Sequence, residues 1–232
     1  MERGTDDVTY VKGDFSQGLN FLGALRRNEY SSRDAGNVFL KLTGTAQYRK
    51  ALPKGFQASA KISGQLSTIA LTPEEEFYMG GIDSVRGYPS GDFLADNGFV
   101  ANLELTHNAS FIPDWVRFPY GQRSIGEEMM LVGFFDYGYG MKRSVQQGEL
   151  GKRKMAGAGV GVRVNLLDQA TLRLEWGFVL DTMANMPYTQ FDRQRLHFSI
   201  DFQDKMPEEI ERFQKLYRED YIKESAWKMV NL

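Results

Sequence analysis

Strict alternation of apolar and polar side chains is the feature that most limits what this chain can fold into. The segment RLHFSIDF (195–202) alternates without exception, and TLRLEWGFVL (171–180) and MAGAGVGVRVN (155–165) repeat the pattern. Successive side chains of a β-strand point to opposite faces, so the pattern predicts strands with one apolar and one polar face. In the last of these strands the apolar face is formed by Leu196, Phe198, Ile200 and Phe202.

The segment FVANLELT (99–106) follows the pattern less regularly. Val100, Leu103 and Leu105 are predicted to share the apolar face, with a break near Ala101. Because the other strands alternate in the same way, the chain is predicted to be an antiparallel all-β protein. The eight predicted strands lie at about 8–19, 37–50, 55–71, 98–109, 128–140, 155–166, 171–181 and 195–202.

Two all-β folds are consistent with this pattern, a soluble sandwich with one face exposed to water and a membrane β-barrel. The predicted strands have about ten residues, whereas soluble strands average about five or six. The mean hydropathy of −0.42 does not exclude a barrel, because lipid-facing and lumen-facing residues alternate along its strands. Aromatic residues near strand ends resemble the interfacial girdles of membrane barrels; they are Phe135, Tyr137, Tyr139, Trp176, Phe198 and Phe202. The pattern therefore favours a transmembrane barrel.

The predicted connections alternate in length. Short turns on one side and long loops on the other are typical of outer-membrane barrels, in which the short turns are periplasmic. The connection at 110–127 is long where a short turn is expected, and the pattern gives no reason for it. The short connections are 52–55 and 166–170, and the long ones are 20–36, 72–97, 141–154 and 182–194.

The sequence contains no pattern that indicates catalysis, a bound cofactor or a nucleic-acid partner. The net charge is only −2, and the absence of cysteine excludes disulfides and thiolate zinc sites. His107 and His197 are isolated, and Ser84 lacks the partners of a catalytic triad. The glycines of GAGVGV (157–162) alternate and do not follow a dinucleotide motif, so they are expected on the lumen side of a strand. The chain is predicted to have no metal, cofactor or catalytic residue.

The segment GGIDSVRGY (80–88) resembles the VRGY loop of the outer-membrane transporter superfamily that includes the barrel-assembly protein. Other segments follow in the order found in two-partner secretion transporters of the haemolysin secretion/activation (ShlB/FhaC/HecB) type. The resemblance covers about residues 8–202. Its segments are FSQGLNFLGA (15–24), LPKGFQASAKISGQLS (52–67), EFYMGGIDSVRGYPSGDFLADNGFVANLEL (76–105) and GFFDYGYG (133–140).

The resemblance implies a barrel of about 16 strands in the bacterial outer membrane, of which residues 1–203 would be the C-terminal half. Its members export a large haemolysin- or adhesin-like exoprotein, so the implied partners are that exoprotein, outer-membrane lipid and the barrel-assembly machinery. The strand ending at Phe202 would be the barrel-closing signal. The periplasmic domains, plug helix, signal peptide and first barrel half of the family are not in the sequence, so Met1 is expected to begin a partial reading frame or a domain-sized piece.

The resemblance also implies a latch in the lumen. The loop at 80–97 would fold inward, with the latch residues Val85, Arg86, Gly87 and Tyr88 at its centre. Arg86 would pair with Asp136, and Glu104 would be the acidic residue of the preceding strand. An unpaired buried charge is strongly disfavoured, so Arg86 needs such carboxylates. Gly80, Gly81 and Gly87 are expected to supply close approach and positive φ.

Residues 204–232 are predicted to be a helical C-terminal extension, which begins near Pro207 and the acidic residues after it. A solvated periplasmic helix and a helix docked on a barrel rim both fit its single apolar stripe. The function also has alternatives, the first of which is a factor that assembles barrel proteins into the outer membrane. An enzyme-linked barrel and a small autonomous barrel of eight strands are the others.

Overall fold

The computed structural model describes residues 7–19, 35–36, 38–117, 124–166, 170–180 and 193–202. These residues form an eight-stranded sheet and a separate two-stranded sheet, both antiparallel. The predicted antiparallel all-β class is therefore confirmed. The predicted helical extension at 204–232 lies outside the described residues, as do most of the predicted loops at 20–36 and 182–194.

The large sheet follows the chain from one strand to the next, and only the small sheet interrupts the sequence. Within the described residues β1 and β10 do not pair with each other, so this sheet is open. Its order is β1-β2-β3-β6-β7-β8-β9-β10, and β4 pairs with β5. The strands are β1 (Val8–Gln17), β2 (Leu40–Ala51), β3 (Phe56–Ser67), β4 (Phe77–Met79), β5 (Phe93–Ala95), β6 (Asn97–Asn108), β7 (Met129–Met141), β8 (Lys152–Leu166), β9 (Ala170–Val179) and β10 (Gln194–Phe202).

The alternation of the sequence gives the large sheet two different faces. The outer face is apolar and exposed, and its large side chains include Leu42, Ile62, Leu103, Leu105, Val160, Leu174, Trp176 and Phe198. The inner face carries the polar positions, and the segment between β3 and β6 covers much of it. Neighbouring residues in register share a face, so each outer leucine lies beside another outward-facing residue.

The predicted placement of Val100 with Leu103 and Leu105 is wrong. Residues two apart on a strand share a face, so Ala101 lies on the side of the two leucines and Val100 lies on the inner side. Val100 is buried there with Met79 and Val85 from the segment that covers this face. An apolar residue is therefore stable at an inward position, because other apolar residues cover it.

The main apolar core lies between the inner face and the segment that carries β4 and β5. This segment contributes Met79, Val85, Tyr88, Phe93 and Ala95, and the sheet contributes Val100, Met155 and Val179. The sequence pattern predicts a loop without strands at 72–97, whereas the structure contains a pair of strands of three residues each within it. The core therefore holds the loop in contact with the sheet.

The long connection between β6 and β7 ends in a short helix, α1 (Ile125–Glu128). Ser124 and Glu127 form a capping box: Ser124 Oγ accepts from the Glu127 amide at 3.3 Å, and the Glu127 carboxylate accepts from the Ser124 amide at 3.2 Å. Part of the unexplained length of 110–127 is therefore structured. In the described part of the chain, no helix is long and apolar enough to cross a membrane.

Candidate functional site

The arginine loop, defined as residues 80–97, folds onto the inner face and buries Arg86 at its centre. The Arg86 residue is 1% exposed. Gly80, Gly81 and Gly87 have φ values of 97°, 104° and 97°, a region that residues with a Cβ rarely adopt. Gly87 follows Arg86 directly, so its positive φ turns the chain just after the buried side chain.

Arg86 holds Asp136 of β7 by three hydrogen bonds. Its Nε donates to Oδ2 at 2.7 Å and its Nη2 donates to Oδ1 at 2.6 Å, and the backbone amide of Arg86 adds a third bond to Oδ2 at 3.0 Å. The two side-chain bonds form the parallel fork that a guanidinium makes with a carboxylate. Asp136 is fully buried, so this pair is shielded from water.

Two glutamates and an aromatic ring complete the surroundings of the Arg86 guanidinium. Its Nη1 donates to Glu104 Oε1 at 2.5 Å and to Glu175 Oε2 at 3.1 Å. The guanidinium carbon lies 3.6 Å from the ring centroid of Phe134, a cation–π contact. Burial alone would lower the pKa of Arg86, but the hydrogen bonds to Asp136 and the charges of the three carboxylates raise its pKa above its ordinary value. The guanidinium therefore stays charged in the site.

A second arginine, Arg163 of β8, contacts the same two glutamates. Its Nη1 and Nη2 donate to the Glu104 carboxylate at 3.0 and 2.8 Å. Its Nε and Nη2 donate to Glu175 Oε1 at 2.8 and 2.6 Å. Arg173 of β9 contacts the arginine loop through Asp83 at 2.8 Å and lies 3.4 Å from Glu175. The site is therefore a network of arginines and carboxylates that joins β6, β7, β8 and β9 to the loop.

Further hydrogen bonds fix the backbone of the loop. Asn102 Nδ2 donates to the Ser84 carbonyl at 2.7 Å and to Asp136 Oδ1 at 2.8 Å. The Gly87 amide donates to Nε2 of His197 at 3.2 Å, which connects the loop to β10. The Tyr88 hydroxyl is 3.1 Å from both the amide and the carbonyl of Ala156. Strands from both sides of the site therefore hold the latch residues.

Glycines on β8 and β9 make the space in which the latch residues lie. A Cβ built on Gly157 would overlap the carbonyl oxygen of Arg86. A Cβ on Gly177 would lie 2.5 Å from the amide nitrogen of Gly87, and one on Gly161 would lie 2.7 Å from Cγ of Glu175. Gly157 of β8 and Gly177 of β9 therefore leave the space that the backbone of the arginine loop occupies.

The structure brings together the latch residues and both acidic partners that the sequence singled out. Among the described residues, no group of histidine, cysteine, aspartate and glutamate side chains could hold a metal. His107 packs against Phe56 with ring centroids 4.3 Å apart. The four apolar residues of the last strand lie away from this site, exposed on the outer face of β10: Leu196, Phe198, Ile200 and Phe202.

Sequence reasoning missed several members of the site, among them Arg163, Glu175 and His197. The alternation already places each of them on the polar face of its strand. What the sequence lacked was the register that sets Glu175 beside His197 and Gly161 on the neighbouring strands. Their inward-facing positions on the consecutive strands β8, β9 and β10 are therefore the sequence signal that could have identified them.

An antiparallel sheet whose strands alternate between an apolar outer face and a polar inner face is the pattern of outer-membrane β-barrels. Within this class the chain belongs to the haemolysin secretion/activation protein family, ShlB/FhaC/HecB, whose family model matches residues 2–164. Members of this family are outer-membrane transporters of two-partner secretion, which places the chain in the bacterial outer membrane.

A solved structure, CdiB from Escherichia coli, is similar to the chain with a TM-score of 0.59 and 17% sequence identity. The match covers 84% of this chain and 33% of the CdiB chain, so the chain spans about a third of the length of that protein. At this identity the similarity shows the fold alone. No curated protein sequence matches the chain.

Proposed function

We propose that the chain forms part of the wall of a β-barrel pore that exports a haemolysin- or adhesin-like exoprotein across the outer membrane. Family membership supports the transport role. The apolar outer face fits lipid, and the charged inner face fits a hydrated lumen. The partners are the exoprotein, outer-membrane lipid and the barrel-assembly machinery, which would read the apolar residues of β10 as its closing signal. In this role the chain catalyses no reaction.

The observation that carries the proposal is the buried contact of Arg86 with Asp136. The arginine loop lies across the inner face, where a polypeptide would pass. We therefore assign Val85, Arg86, Gly87 and Tyr88 the role of a latch that must leave before export begins. Asp136 and Glu104 act as its partners, and Gly80 and Gly81 let the loop turn toward the sheet.

The energetics of a buried ion pair fit a reversible latch. Removing one partner from a buried pair typically costs about 3–5 kcal/mol, and less where water enters. Because each 1.4 kcal/mol is tenfold, a cost of this size lowers the docking equilibrium of such a variant by a factor of roughly 10² to 4 × 10³. An exoprotein that binds the open state more tightly can supply this difference and shift the population.

A disulfide between the loop and the sheet tests the proposal. A Cβ built on Gly138 would come within 2.9 Å of Cγ2 of Val85, so side chains at the two positions are in direct contact, as a disulfide between them requires. These 232 residues contain no cysteine, so Val85→Cys with Gly138→Cys introduces the only thiols of this part of the transporter. Cells that carry the oxidised pair in the intact transporter should secrete little exoprotein, and reduction should restore secretion.

The two single-cysteine variants are the matched controls for this experiment. Each of them should secrete at the same rate under oxidising and reducing conditions. If the oxidised pair exports exoprotein as fast as the reduced pair, the loop does not have to move. The latch would then be ruled out, although the family membership would stand.

A further inference from the structure

Two arginines share the glutamates of the site, but only one of them belongs to the sheet. Arg163 lies on β8 and binds both Glu104 and Glu175 through four hydrogen bonds of 2.6–3.0 Å. Arg86 lies on the arginine loop and reaches the same two residues with its Nη1 alone. The glutamates therefore have a stationary partner as well as one that the loop carries.

Asp136 differs from the glutamates because its arginine comes from the loop. It accepts from the Nε, the Nη2 and the backbone amide of Arg86. Its other donor is the neutral amide of Asn102 at 2.8 Å. In the described part of the chain, Asp136 has no second cation within ion-pair distance. Withdrawal of the loop would remove the positive charge that faces Asp136.

The glutamates would stay paired in the same event. Arg163 does not depend on the loop for its position, because its partners are residues of β6 and β9. Arg173 now bonds Asp83 and the Ile82 carbonyl of the loop, and it lies 3.4 Å from Glu175. Loop withdrawal would break its bonds to Asp83 and Ile82 and leave Glu175 as its partner.

We propose that Arg163 is a positioning residue that sets how readily the arginine loop leaves the sheet. By neutralising Glu104 and Glu175 it weakens their attraction for Arg86 and keeps them paired after the loop has gone. This inference rests on the proposed latch. It predicts opposite effects for the two arginines, since loss of Arg86 releases the loop and loss of Arg163 holds it more tightly.

The test measures how often the loop opens in the intact protein in lipid vesicles. Val85 belongs to the arginine loop and is fully buried against the sheet, so Val85→Cys reacts with a small water-soluble thiosulfonate only when the loop opens. Arg163→Gln should slow this labelling by about fivefold to tenfold, because Glu104 then attracts Arg86 without a competing cation and Glu175 keeps only its longer contact with Arg173. Arg86→Ala should accelerate it.

The control is Lys12→Gln, which removes an exposed inner-face cation of β1 that pairs with Asp14. It should leave the labelling rate within about twofold, since β2 and β3 separate β1 from β6, the nearest strand of the site, and its charge is solvent-exposed. Labelling that is unchanged or faster in Arg163→Gln would overturn the role of Arg163. Labelling that is unchanged in Arg86→Ala would instead refute the latch.

A second pair of variants keeps the inference testable if Arg163→Gln does not fold. Glu175→Gln together with Arg163→Gln removes one charge of each sign and so preserves the net charge of the site. This double variant should label more slowly than Glu175→Gln alone, because Arg163 no longer competes for Glu104. Equal or faster labelling of the double variant would contradict the inference.

Discussion

At the scale of single residues, Arg86 has contacts that only a guanidinium can make. Its Nε and Nη2 form the fork with Asp136, while Nη1 bonds Glu104 and Glu175. A lysine ammonium is a compact point charge without this fixed fork. The planar group also stacks on Phe134, which an ammonium cannot do over the same area. The site therefore selects arginine by geometry as well as by charge.

Arg86→Ala should release the arginine loop, so that export no longer waits for the latch to leave, while most of the barrel still assembles. Loss of one partner of a buried ion pair typically costs about 3–5 kcal/mol, and less in a wet lumen. Limited proteolysis within residues 80–97 measures the release, and secreted exoprotein measures the function. Arg86→Lys should reverse only part of both. Full reversal by lysine would show that charge alone holds the loop.

Gly157→Ala should displace the arginine loop without removing any charge. Its Cβ would overlap the Arg86 carbonyl oxygen, which is backbone and cannot move alone. Gly133→Ala on the outer face of β7 is the control, because a Cβ there would come no closer than 3.9 Å to the Leu105 carbonyl. Proteolysis of the loop should increase at least about tenfold for Gly157→Ala, as a loss of about 1.4 kcal/mol would give. Equal proteolysis rates for the two variants would show that Gly157 does not provide the space that the loop backbone occupies.

At the scale of elements, the alternation of the sequence predicts the strands but not their register. Alternation has a period of two, so it locates a strand and its two faces. It does not determine the pairing register with the next strand, because a shift by two residues leaves every side chain on the same face. The contacts of Arg163 with Glu104 and Glu175 depend on this offset. The pairing of Arg86 with Asp136 came from the family resemblance, since the pattern required only carboxylates on the inner face. Strands β4 and β5 have three residues each, too few to show a period.

The β4–β5 pair depends on apolar packing, which Met79→Ala should weaken. Met79 is fully buried between this pair and β7, where it lies against Gly138 and Gly140. Replacing a buried methionine by alanine typically costs about 2–5 kcal/mol. Amide hydrogen exchange should become faster in β4 and β5 while the amides of β6 and β7 keep their protection. Equal acceleration in all four strands would show that the loop and the sheet unfold as one unit.

At the scale of the whole molecule, the charges and the large apolar side chains lie on opposite faces of one sheet. The net charge is only −2, yet the inner face concentrates Arg86, Arg163, Arg173, Asp136, Glu104 and Glu175. The outer face has no such network among the described ion pairs, and its leucines and aromatic residues are exposed. Contact of this apolar surface with water is unfavourable, whereas lipid would cover it.

Leu103→Arg tests whether the outer face lies in lipid. Leu103 is 52% exposed near the middle of β6, where a membrane barrel would cross the bilayer midplane. An arginine on the lipid face at that depth costs about 2–4 kcal/mol. Thr43→Arg places the same side chain on the inner face of β2, in register with Asp14, and should change the stability by only about 0.5 kcal/mol. Urea unfolding of the intact protein in lipid vesicles measures both free energies. If the two substitutions have equal effects, the outer face is not embedded in lipid, because only a hydrocarbon environment penalises the charge on one face and tolerates it on the other.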